Sequence, residues 1–376
     1  MSQIWKTELL GSVATLQRGF DLPNRLRKQG PVPIVTSSGI EATHSEAKVK
    51  APGVVTGRYG TIGQVYFVDT DFWPLNTTLY VRDFHENDPL FVSYLLKTID
   101  FDTHSGKSGV PGVNRNDLHE ITVAVPPTKA EQQAIAKALN DADVLIDALE
   151  RLLTKKRQIK QGAMQELLTG RKRLPGFTGE WKTSPLGNIG EFLKGSGITR
   201  GEAQSGALPC VRYGEIYTAH NNYIRTFHSW ISAEVTASAT RIQPGDLLFT
   251  GSGETKEEIG KCVAFVDDRE AYAGGDIVIL RPRDADSLFL GYALNTTEIN
   301  RQKASRGQGD AVVHISASAL ARITVPIPGL NEQTAIATLL SDVDAEISEL
   351  EAKLTKAHGV KQGMMQQLLT GKIRLI

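Results

Sequence analysis

Apolar residues between positions 127 and 174 recur at alternating steps of four and three: Ile135, Leu139, Ala142, Ile146, Leu149 and Leu153. A second series does the same, at Ile336, Leu340, Val343, Ile347, Leu350 and Leu354. Alternating threes and fours make a heptad seam, narrower than the stripe by which a helix lies on a globular core, and such seams pack helix on helix by knobs into holes. A run of roughly 40 residues at 1.5 Å rise is about 60 Å long. The pattern therefore predicts two long helices that pair antiparallel, across a pseudo-twofold axis, as a coiled coil. Each run ends in Leu-Leu-Thr-Gly, at 167–170 and at 368–371, with a glycine suited to a helix C-terminus. Pro175, Gly176 and Gly179 follow the first run and mark a linker.

The two runs are copies of one segment. Residues 127–174 recur without a gap as 328–375, roughly half of the positions being identical, so the chain is a tandem duplication with a period of about two hundred residues. Fainter echoes precede each copy: Trp5, Leu10 and Gly19 answer to Trp181, Leu186 and Gly195. The globules read as mixed α and β. Val54 and Val55, Val65–Val68 and 277–280 are β-branched runs between glycine-rich turns, and helical patterns appear near 90–98 and 288–300. The expected architecture is α+β: a globule at 1–126, a helix at 127–174, a second globule at 175–327 and a second helix at 328–376.

Composition narrows the class. With 40% hydrophobic and 22% charged residues the chain lies away from the disordered corner. It shows neither a secretory leader nor an apolar run near the roughly 18 residues of a membrane span, so a cytoplasmic protein is expected. Cys210 and Cys262 form no ligand-spaced cluster and are expected as two half-buried thiols, without zinc or a disulfide. Lysine plus arginine equals aspartate plus glutamate at 42 each, which is not the basic excess of a protein that holds DNA unaided.

Two overlapping segments imitate catalytic motifs. The stretch 246–253, DLLFTGSG, resembles a glycine turn that cradles S-adenosylmethionine, but the Asn/Asp/Ser-Pro-Pro-aromatic tetrapeptide of a base-amino methyltransferase is missing from the sequence. Asp246, Glu254 and Lys256 imitate a metal-dependent nuclease, yet the matching loop TGRYGTIG of the first half lacks both carboxylates. The eight histidines are scattered, and no P-loop occurs. No cofactor, metal site or catalytic centre is expected.

The helix start EQQAIA, the continuation KQGAMQELLTGRKRLPGF with its second copy KQGMMQQLLTG, and the VPP and PIP exits from the globules resemble the conserved regions of type I restriction specificity subunits. The loops GRYGTIG and GSGETKEEIG resemble their target-recognition domains. The resemblance spans essentially the whole chain, its pieces occurring twice and in order. It implies a non-catalytic DNA-reading subunit that binds two methyltransferase subunits through its helices and recruits motor-nuclease subunits. Each globule would read half of a split double-stranded target, with the helices setting the gap. On that reading a partner supplies much of the phosphate binding, and a few basic or amide residues on glycine-containing loops meet the DNA. They are Arg58, Tyr59, Lys107 and Arg115 in the first half, and Lys256, Arg306, Gln308 and His314 in the second. The competing readings are a coiled-coil scaffold with two ligand-binding domains, and a self-sufficient methyltransferase or endonuclease, for whose catalytic domain the repeat leaves no room.

Overall fold

The computed structural model describes residues 5–105, 112–309 and 312–375. Two compact units divide the chain, one made of residues 1–151 and 351–376, the other of 152–350. Both long helices form, over Lys129–Leu167 and Leu330–Leu368, 39 residues each. Each unit holds the head of one helix beside the tail of the other, so the pairing is antiparallel.

The first unit is built on a four-stranded sheet in the order Thr15–Arg18, Thr78–Asp83, Gly53–Gly57, Val65–Val68, all neighbours antiparallel. The strands Val32–Thr36, Gly39–His44 and Trp73–Pro74 make a smaller sheet beside it. Helix Pro89–Leu96 starts at Asp88, whose carboxylate accepts from Phe91 N at 2.9 Å. Its neighbour is the long helix: Asp88 N donates to Gln132 Oε1 at 2.8 Å, and the Tyr94 hydroxyl donates to Asp143 at 2.6 Å.

The second unit repeats this plan with other residues. Its main sheet runs Gly190–Lys194, Ile277–Pro282, Leu247–Thr250, Cys262–Ala264. Helix Ser287–Ala293 is capped by Asp286, whose backbone N–H donates to Gln333 Oε1 at 2.9 Å, and the Tyr292 hydroxyl donates to Asp344 at 2.7 Å. The expected helical stretch at 288–300 is two helices, because the chain turns at 294–296 before Thr297–Ala304. Its smaller sheet has four strands where the first unit has three.

The apolar seam serves two purposes. Ile135 and Leu139 enter the first globule's core together with Leu368 and Leu369 from the tail of the second helix. Ile336 and Leu340 do so in the second unit with Leu167 and Leu168. Farther along, Ile146, Leu153 and Ile347 are buried, whereas Leu149, Leu350 and Leu354 are half-buried. The heptad is therefore a helix–helix seam near the middle and a globule-facing stripe at the heads.

Polar pairs lock each junction. In the first unit Glu131, 1% exposed, receives Arg374 Nε and Nη2 at 2.7 and 2.6 Å. The Trp5 indole N–H donates to the same carboxylate at 3.2 Å. In the second unit Glu332, 3% exposed, receives Arg173 Nε and Nη2 at 2.5 and 2.6 Å. Gly170 and Gly371 end the helices at φ +70° beneath the rings of Trp181 and Trp5. A left-handed residue is needed there for the chain to turn back, and glycine takes that conformation without strain. Lys361 pairs with Asp143 in the first unit, and Lys160 with Asp344 at 2.6 Å in the second.

Leu368→Ala, which empties a site between head, tail and globule, is expected to cost about 2–5 kcal/mol in urea unfolding. Arg374→Ala strands a buried carboxylate and should lower the unfolding midpoint more than Arg374→Lys does. Arg374 and the Trp5 indole hold the Glu131 carboxyl below its ordinary value of 4.5, against burial, which raises it. That stabilisation is present above pH 4.5 and fades as the pH falls through the folded value. The deficit of Arg374→Ala should therefore shrink on acidification; a constant deficit down to pH 3 would contradict the pairing.

Candidate nucleic-acid interface

In the first unit the sheet ends in a cleft of about 760 Å³ whose lining includes Gln17, Arg18, Arg58, Tyr59, Asn114 and Arg115. Arg58 and Tyr59 continue the strand Gly53–Gly57, and Arg58 N and Tyr59 N both donate to Thr77 O. The Arg58 guanidinium carbon sits 4.5 Å from the Tyr59 ring centroid, a stacked arrangement that holds the cation in place. Tyr59 bridges to Gly112, where a Cβ would lie 2.1 Å from the tyrosine ring, so glycine is required for that close approach. Arg115 is the first residue of helix Arg115–His119, which the Asn114 side chain caps. Three of the four expected residues thus share one cleft, and Lys107 lies outside the described residues.

In the second unit Ser252–Gly253 pairs with Val313–His314. Gln308 and His314 exchange backbone hydrogen bonds at 2.9 and 2.8 Å. The His314 ring is fixed by Ser252 Oγ, 2.9 Å from Nδ1. Lys256 is exposed on the turn that follows this strand. Arg306 is half-buried, its Nη1 donating to Gln302 O at 2.8 Å, so part of its guanidinium is spent on the end of its own helix. Gln308 and His314 are paired by this bridge, with Arg306 two residues before it and Lys256 beyond the strand Ser252–Gly253.

The stretch 246–253 that imitates a catalytic turn is occupied by structural contacts, whereas Glu254 and Lys256 are exposed. Asp246, 1% exposed, receives Arg281 Nε and Nη2, each at 2.8 Å, and the backbone N–H of Gln243. At Gly253 a Cβ would lie 2.6 Å from the Tyr217 hydroxyl, so the missing side chain makes room for that tyrosine. Tyr217 in turn donates to Ser252 O and accepts from Thr250 Oγ1, tying loop to sheet. Both cysteines are fully buried, deeper than expected, and burial pushes each thiol up to about 12. Among the described residues there is no group of three or more His, Cys, Asp or Glu placed to hold a metal, and no helix long and apolar enough to cross a membrane.

Sequence reasoning missed several residues here. Gln17 and Arg18 lie far from Asn114 in the chain, and the three meet only in the folded unit. Lys303 reads as a surface lysine of a polar helix but is 1% exposed, its ammonium donating to Gly260 O at 2.8 Å and Leu294 O at 2.9 Å. It anchors the turn that carries Lys256.

The family model described as the type I restriction modification DNA specificity domain matches the chain twice, over residues 3–161 and 178–357. Over 307 residues the chain is 23% identical to the type I restriction enzyme MjaVIII specificity subunit of Methanocaldococcus jannaschii, covering 76% of this chain and 70% of that protein. It is 24% identical over 323 residues to a putative type I restriction enzyme MjaX specificity subunit of the same organism, covering 80% and 72%. In fold it is similar to the type I restriction-modification system S subunit from M. genitalium, with a TM-score of 0.70 at 16% identity over 98% of this chain and 96% of that one.

Lys303 gives the interface a measurable pH signature. Burial pushes its ammonium down to about 8 from an ordinary 10.5, so between these values the unfolded chain binds the proton more tightly than the folded one. Its contribution to stability should rise as the pH climbs from about 8 towards 10.5. Lys303→Met is expected to remove that rise in chemical unfolding followed across the alkaline range; an unchanged pH dependence would contradict the burial of a charge.

Proposed function

Since this chain belongs to the family of the type I restriction modification DNA specificity domain, we propose that it is the DNA-reading subunit of a type I restriction-modification complex. Each unit reads one half of a split double-stranded target. The helices bind two methyltransferase subunits, and motor-nuclease subunits join for cleavage; the chemistry belongs to those partners. The reading loops belong to the target-recognition domains, at 1–126 and 175–327.

One observation carries this reading. The two units share a sheet order and a bolt to the long helices, while the loops at the end of the sheet differ, Arg58 and Tyr59 standing in one and Ser252 and Gly253 in the other. A constant frame with dissimilar contact residues suits two readers of different sequences. Arg58 can donate two hydrogen bonds to guanine in the major groove, and Gln308 can pair bidentately with adenine. The burial of Asp246 against Arg281 favours a structural over a nucleolytic use of that segment.

Binding of the assembled complex to duplexes with either half-site altered tests the division of labour. Arg58→Ala and Gln308→Ala should each lose about 1–3 kcal/mol on the cognate target and relax discrimination in one half, a different half for each. A folded variant that disturbs both halves equally would refute the assignment.

A further inference from the structure

Gly19 and Gly195 hold the same place in two globules of different sequence. Gly19 follows the edge strand Thr15–Arg18 and donates its N–H to Thr78 O at 3.0 Å; a Cβ there would lie 2.1 Å from Leu75 O. Gly195 follows the edge strand Gly190–Lys194 and donates to Ile277 O at 2.8 Å; a Cβ would lie 2.2 Å from Gly274 O. Backbone crowding demands glycine at both positions, and each glycine fixes the preceding residue on the last rung of its strand. That residue is Arg18 in one unit and Lys194 in the other.

The register carries both to the end of the sheet from which the reading loops leave. Arg18 is opposite Leu79, itself opposite Thr56, two residues before Arg58. Lys194 is opposite Val278, itself opposite Phe249, three residues before Ser252. Arg18 lines the cleft with Arg58 and Arg115, and its side chain is 52% exposed, paired loosely with the exposed Asp21 at 3.5 Å. So open a pair holds its cation weakly in water. Lys194 is exposed, and among the described residues no hydrogen bond or ion pair engages its ammonium.

We propose that Arg18 and Lys194 are the phosphate anchors of the two reading domains, binding the sugar–phosphate backbone of the duplex rather than its base edges. The proposal rests on the reading that each unit binds DNA. Across the two units the positive charge is kept at this position while the planar fork of arginine is not. A lysine cannot replace arginine in a bidentate contact to guanine, but either cation neutralises a phosphate. Beside these cations the loop residues change in chemistry altogether, as contacts that carry sequence information must when two domains read different bases. In a chain of zero net charge, a cation free to face DNA in each unit sets the register of the domain on the duplex.

The test is a salt series of binding constants for the assembled complex with its methyltransferase, on the cognate duplex and on duplexes with one half-site altered. Arg18→Ala and Lys194→Ala should each weaken binding by one common factor on every duplex. Each should also make the slope of log K against log salt shallower by about 0.9, the loss of one phosphate contact. Arg18→Lys should keep the slope, and Arg18→Gln, which keeps length and hydrogen bonding, should behave as Arg18→Ala. Relaxed discrimination at one half-site, or an unchanged slope and affinity in folded Ala variants of a discriminating complex, would overturn the proposal alone. An unsubstituted complex that binds cognate and altered duplexes equally would instead remove the underlying reading, and the anchors with it.

Discussion

A carboxylate without solvent at the head of each long helix is the constraint on which the fold depends. Glu131 and Glu332 have lost nearly all contact with solvent, and an unpaired buried charge costs several kcal/mol. Each is answered by an arginine far along the chain, Arg374 for Glu131 and Arg173 for Glu332, in a two-pronged geometry. The pairing obliges the tail of one helix to lie at the head of the other. Trp5 and Trp181 close over the turning glycines, and the Leu-Leu pairs of both tails complete the cores. Such a pair need not add much net stability over an apolar substitute, but it admits one register, since any slip leaves a charge buried and unanswered.

With the helices fixed in this way, the globules are free to differ. Each is bolted through equivalent groups: a capped helix whose first backbone N–H meets a glutamine of the long helix, and a tyrosine that reaches an aspartate on it. None of these groups belongs to the reading loops. Substitutions in the loops therefore leave the bolts untouched, and a smaller sheet of three or four strands can be accommodated beside the same main sheet. Specificity can change without disturbing the frame because the two are made of different residues.

Much of this was legible in the sequence because it is periodic or repeated. The seam gave the helices, the Leu-Leu-Thr-Gly endings gave their termini, and the duplication gave two globules, although each compact unit also takes in the tail of the other copy's helix. The bolts were not legible, for Glu131, Asp143 and Asp344 occupy polar positions that on a lone helix would face water. Glu131 and Asp344 are buried and Asp143 is half-buried, each against arginines, lysines or tyrosines distant in sequence. The same holds for Lys303, hidden by a neighbouring turn, and for the cleft, whose Arg18 and Arg115 are brought together by sheet pairing. Leu149 and Leu350 fit the heptad yet stay half-buried. Spacing reports which residues can share a face, and tertiary closure decides which of them lose water.

The central claim is that the frame is constant and that each globule reads alone. It is tested most directly by a chain that carries the first globule twice, the second globule being replaced on its native helices, assembled with methyltransferase and used to select targets from random duplexes. The account predicts a selected target whose two halves have the same sequence, that of the original first half-site. Recovery of the original unlike halves would contradict it.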